Sequence, residues 1–223
     1  NVALTFGKNP DEFAYGLYDV LIDGIPAEHT IVNVHENIDI IPATDDLVGF
    51  DLEVIGNSKK YPRPFELMYK GINHLRSQYD FILIDTPPSL ALMVGNVFTV
   101  ADGVLIPYAP ETYSMRSLIK VIETIQDFKD TYNPDLQLLG VVATLVKTVT
   151  TLHTEILDET RKYLHENGIT FFDTCIPSTI RFASSVAYDN LPAALTKKKV
   201  DKANLYFDLW KEIEDKCLGI ETN

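Results

Sequence analysis

Hydrophobic residues along this chain fall into two alternating patterns. Short continuous apolar runs end at proline, glycine or polar turns, which is typical of strands buried on both faces of a parallel sheet. Between them lie longer segments that repeat apolar residues every three or four positions, as on one face of a helix. From residue 65 onward the alternation is strict. It predicts an α/β fold, a mostly parallel sheet with helices on both faces.

The individual elements can be placed from the same pattern. Strands are expected at residues 31–34, 38–41, 81–84, 104–108, within 136–146, and at 170–176. Helices are expected from Pro10 to before Gly24, at 65–79 and 89–101, and from Met115 to near Asn133. Further helices are expected from a cap at Thr150 or Thr151 to Asn167, after Ser178, and from Val200. Residues 43–64 are expected to form loop with one short helix. No repeat or composition shift divides the chain, so residues 1–223 are predicted to be a single domain.

Composition narrows the class of protein. Apolar residues make up 46% and charged residues 23%, which is ordinary for a globular domain. No apolar run approaches the roughly 18 residues of a membrane helix, and Cys175 and Cys217 form no metal or disulfide motif. The cytosol is therefore the expected location. The net charge of −13 argues against nucleic-acid binding by the whole surface but allows a local basic patch.

Asp85 is the first candidate functional residue. It follows the apolar run 81–84, and Pro87 stops the strand two residues later. The carboxyl edge of a buried parallel strand is where open α/β sheets bind ligands. A carboxylate there can hold Mg²⁺ beside a nucleotide phosphate, as a Walker B Asp does. The alternative is a strand that simply ends in an Asp-containing turn.

Other common chemistries lack their motifs. The chain contains no HExxH, GxSxG or GxGxxG sequence, which argues against a zinc protease, an α/β hydrolase and a dinucleotide-binding fold. A Walker A loop is also missing. The pair Gly7-Lys8 is followed by Asn9 rather than Ser or Thr, so it is not a phosphate-binding loop.

Several segments resemble the ParA family of partition ATPases, which belongs to the deviant Walker A class of P-loop NTPases. Residues 79–89, YDFILIDTPPS, resemble the family's Walker B segment. The order of the later segments also agrees: Asn96, ADGVLIP at 101–107, the pair Pro110-Glu111, and CIPSTIR at 175–181. Residues 1–9 look like the stretch after the family's switch I. The resemblance implies that the chain is N-terminally incomplete and lacks the strand, Walker A loop and helix of the family's first unit.

The resemblance also implies a function and a set of site residues. A ParA-type ATPase binds ATP and Mg²⁺, forms a homodimer, binds DNA non-specifically and acts with a ParB-like, centromere-binding partner, without a membrane. Asp85 would be the catalytic and metal-binding residue, Glu111 a dimer contact, and Thr144, Pro177 and Ser178 would lie near the base. Many relatives carry an Asn near position 144 to read the base, and none stands there in this chain. Pro177 could instead only end a strand, and Glu111 could only favour a helix start.

A local basic patch is the candidate DNA-binding surface. Residues 197–202 carry four lysines and one aspartate, a local charge of +3. By resemblance, DNA would be bound by Arg181, Lys197, Lys198, Lys199 and Lys202. Such phosphate contacts are independent of sequence and weaken with salt. The alternative is a solvated helix start.

Two other functions are compatible with parts of the sequence. A MinD-like membrane-cycling ATPase would share the fold but would need a basic amphipathic helix, whereas residues 212–223 are acidic. A non-enzymatic interaction module would explain the missing Walker A loop. The ParA-type ATPase agrees with more of the sequence than either.

Overall fold

The computed structural model describes residues 2–87, 91–147, 151–179, 190–196 and 202–218. The chain divides into two compact units. The first unit comprises Asn1–Ala101 with Asp130–Pro134, and the second comprises Asp102–Lys129 with Asp135–Asn223. The single domain expected from the sequence stays a prediction.

The first unit combines short helices with one small hairpin. Its elements are helix α1 (Val2–Thr5), helical turns at Pro10–Glu12, Asp19–Asp23 and Ala27–His29, strands β1 (Val32–His35) and β2 (Ile38–Ile40), a turn at Asp45–Gly49, helices α2 (Phe50–Gly56) and α3 (Leu67–Ile72), a turn at Asn73–Ser77, and helix α4 (Leu92–Val100). Strands β1 and β2 pair antiparallel, as their predicted positions suggest. The loop expected at residues 43–64 does contain one short helix, α2.

The helix predicted from Pro10 is wrong between residues 13 and 16. There the backbone N–H of Gly16 donates to Oδ2 of Asp19 at 2.7 Å, and the N–H of Leu17 donates to the carbonyl of Pro42 at 2.8 Å. A Cβ on Gly16 would lie only 2.8 Å from that carbonyl oxygen. The close approach of the Pro42 backbone therefore interrupts a helix that the apolar spacing alone favours.

A buried asparagine ties the core of the first unit together. Asn96 on α4 is fully buried, next to core residues such as Met68. Its Oδ1 accepts a hydrogen bond from the Met68 N–H at 3.1 Å. Its Nδ2 donates to the carbonyls of Pro64 at 2.8 Å and Leu92 at 3.1 Å. The side chain thus joins α4 to the segment that leads into α3, and both of its polar atoms are satisfied.

The second unit is built on a parallel strand pair. Its elements are strand β3 (Gly103–Tyr108), helix α5 (Ser114–Thr131), strand β4 (Gln137–Ala143), helix α6 (Thr151–Glu166), helix α7 (Asn204–Ile213) and a final turn at Glu214–Leu218. The pairing of β3 with β4 shifts by one residue beside Gly140. Gly140 has φ of 148°, and a Cβ there would lie 2.8 Å from both the Thr170 carbonyl and the Phe172 ring. Glycine therefore sets this bulge.

The strand predicted at residues 170–176 is interrupted. Phe172 and Ile176 donate backbone hydrogen bonds to β4 at Val141 and Ala143, as a parallel neighbour should. Between them, the N–H groups of Asp173 and Thr174 both donate to the Glu212 carboxylate on α7 at 2.8 Å. The hydroxyl of Thr174 donates to it as well. At the centre of this segment the Glu212 side chain therefore accepts the backbone hydrogen bonds that a neighbouring strand would otherwise accept.

Of the two helices predicted at the end of the chain, one is untested and the other begins later than predicted. The helix expected after Ser178 falls mostly in residues 180–189, which lie outside the described residues. The last helix was expected from Val200, but α7 begins at Asn204. Lys202 has φ of 69°, a left-handed conformation that a right-handed helix cannot contain.

We expect Glu212→Gln to lower the free energy of unfolding by about 1.5–3 kcal/mol at neutral pH, because the variant removes a charged acceptor of several hydrogen bonds. Burial raises the pKa of Glu212, but hydrogen bonds from Thr174 and from the two backbone N–H groups outweigh it and leave the pKa below its ordinary value. A lowered folded pKa stabilises the fold above the unfolded pKa, and this stabilisation is lost as the pH falls through the folded value. Urea unfolding at a series of pH values measures both effects.

Asp215→Asn is the matched control, because Asp215 is exposed three residues further along the same helical end. It should leave the unfolding curve and its acid dependence nearly unchanged. Equal stability of the Glu212→Gln protein and the wild type at pH 7 would show that Glu212 does not anchor this segment.

Candidate functional site

The segment that carries Asp85 is extended but is not a buried strand. Residues 81–87 belong to neither sheet of the described residues, and Phe81, Ile82 and Leu83 are 50%, 39% and 90% exposed. Only Ile84 packs against the core of the first unit. The prediction of a strand buried on both faces is therefore wrong for this chain. Such a strand pairs with a strand at each edge and is covered by helices on both faces of the sheet, and the described residues of the first unit pair no strand with it.

The beginning of this segment is fixed by side-chain hydrogen bonds. The Tyr79 hydroxyl donates to Oδ2 of Asp39 on β2 at 2.7 Å, and Nδ2 of Asn33 donates to Oδ1 at 2.8 Å. These two bonds, the one from Tyr79 first, hold the pKa of Asp39 below its ordinary value. The hairpin therefore positions the residue from which the Asp85 segment departs.

Asp85 itself is exposed at the far end of the segment. Within the described ranges, no three His, Cys, Asp or Glu side chains come together as a metal site. Mg²⁺ in nucleotide sites is usually held by one or two carboxylates, with waters and phosphates completing its shell. An exposed single carboxylate fits that role as one ligand. No residue of the chain supplies a Walker A phosphate cradle beside it.

The predicted base-contacting residues do come together in the second unit. The Thr144 N–H donates to the carbonyl of Tyr108, the last residue of β3, at 2.8 Å. The neighbouring N–H groups of Val146 and Ser178 bond to Ile176 and Val146 at 3.2 and 3.1 Å. Half-buried Thr144, buried Pro177 and exposed Ser178 therefore meet at the carboxyl edge of the parallel strands. This is the edge at which such sheets bind ligands.

The loop after β4 carries local backbone strain. Leu145 has φ of 55°, and its side chain is 60% exposed. The left-handed region is unfavourable for most L-residues and is tolerated best by Gly and Asn. Strain of this kind tends to concentrate at ligand-binding sites. It marks the turn between Thr144 and Val146 as a functional candidate.

Leu145→Asn should therefore raise the free energy of unfolding by about 1 kcal/mol, since the strain is relieved and little apolar burial is given up. The measurement is the urea midpoint of the variant against the wild type. Leu4→Asn is a suitable control, because Leu4 is 50% exposed in a right-handed helix and gains nothing from asparagine. A midpoint for Leu145→Asn at or below that of the wild type would contradict the assignment of strain.

An open hollow of about 710 Å³ lies beside this edge of the second unit, between the end of β3 and the start of α5. Glu111, Lys147 and His153 contribute its charged and titratable lining. The Lys147 N–H donates to Nδ1 of His153 at 3.3 Å. Lys147 and His153 were missed from the sequence. The available signal was the position of Lys147 directly after the end of a predicted strand.

The remaining predicted site residues are more scattered. Glu111 is exposed just before α5, where its N–H donates to the Ser114 hydroxyl at 3.1 Å. Lys202 is exposed before α7. Arg181, Lys197, Lys198 and Lys199 lie outside the described residues, so their role as a basic patch stays a prediction.

Comparison with known sequences decides the family. The sequence profile of the AAA domain family matches residues 1–138. A ParA family protein from Mycoplasma pneumoniae is 30% identical over 96% of this chain and 81% of its own length. The chain belongs to the ParA family. The sporulation initiation inhibitor protein Soj of Bacillus subtilis is likewise 30% identical, over 88% of this chain and 75% of its own length.

Solved structures agree with the α/β fold expected of a ParA family member. Cobyrinic acid a,c-diamide synthase from Mycobacterium smegmatis, solved with bound ADP and magnesium, superposes with a TM-score of 0.69. It is 27% identical, and the match covers 79% of this chain and 69% of that chain. The predicted α/β fold of the P-loop ATPases is thereby confirmed. Its parallel arrangement appears here in the β3–β4 pair.

Family membership also confirms the prediction of a ParA-type ATPase at the level of the family. Among the helices of the described residues, none has both the length and the apolar character of a membrane span. The residues tied to the family's chemistry lie in both units. Asp85 is in the first, and Thr144, Pro177 and Ser178 are in the second.

Proposed function

We propose that this protein is a ParA-type partition ATPase of the cytoplasm. It binds ATP with Mg²⁺, dimerises, binds DNA non-specifically and segregates plasmid or chromosomal DNA together with a ParB-like, centromere-binding partner. The observation that carries the proposal is the 30% identity to a ParA family protein over 96% of the chain. The exposed carboxylate of Asp85 at the end of the Walker B-like segment supports it.

In this function Asp85 would help to hold Mg²⁺ beside the terminal phosphates of ATP, where the metal would supply positive charge to the reaction. A carboxylate at this position acts through metal-bound water and needs a separate group to hold the phosphates. No Walker A loop occurs in the 223 residues. Other residues would therefore have to hold the phosphates, and Asp85 would supply the carboxylate on the metal side.

The carboxyl edge of the second unit suits the base and ribose of the nucleotide. Buried Pro177 offers an apolar surface, and the exposed Ser178 hydroxyl and half-buried Thr144 offer hydrogen bonds. Leu145 is exposed in a left-handed turn, near the place at which, by the family resemblance, many relatives carry an Asn. Base recognition would therefore depend here on backbone and hydroxyl groups rather than on an amide side chain.

Dimerisation in the presence of ATP would use the surface around Glu111. Its carboxylate is exposed at the start of α5, and it lines the hollow together with Lys147 and His153. A surface that combines an open concavity with charges of both signs can be completed by a second subunit.

The function is tested by measuring ATP turnover of the intact protein, as encoded in its own genome. ATP turnover should be slow for the protein by itself and should rise when DNA and the ParB-like partner are both added. Turnover that rises instead with liposomes, with co-sedimentation of protein and lipid, would favour a MinD-like cycle and contradict partition. A folded intact protein that binds no ATP would contradict both and favour a non-enzymatic module.

DNA binding gives a separate prediction. Replacing Lys197, Lys198 and Lys199 together by alanine should reduce the slope of log K against log salt by about 3, because each lysine that is removed neutralises one phosphate. Fluorescence anisotropy with random-sequence DNA across a salt series, in the presence of ATP, measures the slope.

The control removes three exposed lysines elsewhere, Lys8, Lys120 and Lys162, and so changes net charge equally. It should leave the slope near that of the wild type. Equal slopes for the two triple variants would show that net charge, and not this patch, governs DNA binding.

A further inference from the structure

An exposed apolar stripe runs along the helix formed by the Asp45–Gly49 turn and α2. Val48, Leu52 and Ile55 are 87%, 80% and 69% exposed. On the opposite face, Phe50 and Val54 are each 1% exposed and belong to the core of the first unit. The helix is therefore apolar on two faces, of which only one is covered.

The spacing of these residues makes them one continuous surface. Positions 48, 52 and 55 are separated by four and three residues, so their side chains lie above one another along the helix. Leaving such side chains in water forgoes the favourable free energy that burial of each would supply. Contiguous exposed aliphatic residues of this kind mark interaction sites, whereas single ones need no explanation.

Charges at the two ends of the stripe have opposite signs. Asp45 and Asp46 stand at its beginning, and Lys59 and Lys60 follow its end. Asp45 and Lys59 are both exposed, and each is seven residues from Leu52, which is the middle of the stripe. Among the exposed charged and aliphatic side chains the order is thus acidic, apolar, basic, centred on Leu52, whereas Asp51 and Glu53 beside it are half-buried.

We propose that this surface binds the same surface of a second copy of the chain, with the two helices antiparallel about a two-fold axis. The surface, which we name the α2 stripe, consists of Asp45, Val48, Leu52, Ile55 and Lys59. In this arrangement Leu52 lies near its own copy at the axis, and Val48 faces Ile55 of the other chain. Each Asp45 faces a Lys59, so charge and apolar surface are complementary at once.

Self-complementarity is the reason to choose a second copy over a different protein. A two-fold interface requires that every group meet its own complement when the surface is reversed. The α2 stripe satisfies this for both its apolar and its charged positions. Three aliphatic side chains supply only part of the roughly 800 Å² per partner of a standard interface, so the contact is weak and reversible. It involves no nucleotide and is independent of the proposed ATPase function.

The first test is sedimentation velocity of the intact protein at increasing concentration, without nucleotide. The wild type should shift from monomer toward dimer, and Leu52→Glu should weaken this association at least about tenfold, since one apolar contact per chain becomes a buried charge. Leu4→Glu is the matched control, because Leu4 is also exposed in the first unit but lies outside the α2 stripe. A wild type that stays monomeric, or a Leu52→Glu variant that associates normally, overturns the proposal.

Charge reversal tests the antiparallel orientation. Asp45→Lys and Lys59→Asp should each weaken association, since each places like charges together at both ends of the interface. The double variant, Asp45→Lys with Lys59→Asp, should restore it because both pairs are attractive again. A double variant that is weaker than either single variant would overturn this orientation.

Disulfide trapping tests the two-fold axis directly. In a background in which Cys175 and Cys217 are replaced by serine, Leu52→Cys should form a covalent dimer on mild oxidation, because a residue near the axis meets its own copy. Leu4→Cys should remain mostly monomeric. Equal trapping of both variants would mean random collision and would overturn the proposed interface. So would trapping of Leu52→Cys only to a different protein.

Discussion

Replacing Asp85 by alanine should lower the ATP turnover of the intact protein by about 100-fold or more. The carboxylate is exposed at the end of residues 81–85. In the proposed function it would hold the water shell of Mg²⁺. A catalytic metal supplies several kcal/mol of charge stabilisation, and each 1.36 kcal/mol is a factor of ten in rate. Steady-state ATP hydrolysis with DNA and partner present measures the effect. The concentration of Mg²⁺ needed for half-maximal turnover should also rise.

Asp80→Ala provides the control for this experiment. Asp80 is exposed at the other end of the same segment and has the same charge. Its removal should change turnover by less than a few-fold. If the two variants were equally impaired, the effect would come from the charge or folding of the segment. If Asp85→Ala kept full turnover with an unchanged Mg²⁺ requirement, Asp85 would not be the metal-side carboxylate.

Local hydrophobic spacing predicted the elements whose neighbours lie close in sequence. The runs at β3 and β4 and the apolar stripes of α5 and α6 gave elements within a few residues of the observed ones. These elements follow one another along the chain, and β3 and β4 pair directly. For such elements, the spacing of apolar residues is sufficient to predict the type and the approximate position of the element.

Three of the failures involve a partner distant in sequence. Gly16 meets the Pro42 carbonyl, and the N–H groups of Asp173 and Thr174 meet Glu212, so in both places the backbone is satisfied outside the predicted element. The run 81–84 has the composition of a buried strand, yet its exposure depends on which strands flank it. A one-dimensional pattern contains no information about these contacts.

The candidate site also contains residues that could be grouped from the sequence and residues that could not. Thr144, Pro177 and Ser178 could be grouped from the sequence because consecutive parallel strands end at one edge. His153 could not be grouped with Lys147, since their contact depends on how α6 begins. The apolar stripe on α2 was also missed. Residues 43–64 contain too many turn residues for a helical period to stand out, although Val48, Leu52 and Ile55 have one.

The largest expected effect on stability comes from a change of one atom at Asn96. Asn96→Asp replaces the Nδ2 donor by an oxygen that would face the carbonyl oxygens of Pro64 and Leu92. Asn96 is fully buried, so its charged form would keep one hydrogen-bond donor, the Met68 N–H, against two carbonyl oxygens that face it. Uncompensated buried charges cost about 3–5 kcal/mol, a large share of the roughly 5–15 kcal/mol that keeps a domain folded. Urea unfolding of the variant should therefore show a much lower midpoint.

The pH dependence separates this cause from a simple packing defect. A buried aspartate has a raised pKa in the folded state, so the folded state binds more protons than the unfolded one. The stability of Asn96→Asp should therefore fall as the pH rises from about 5 to about 8, whereas that of the wild type should not follow the same slope. Thr99→Val on the same helix removes only the hydroxyl bond to the Gly95 carbonyl and should cost less than about 1.5 kcal/mol at either pH. A midpoint for Asn96→Asp that stays within the range of Thr99→Val at both pH values would show that Asn96 is not essential to the contact between α4 and the α3 segment.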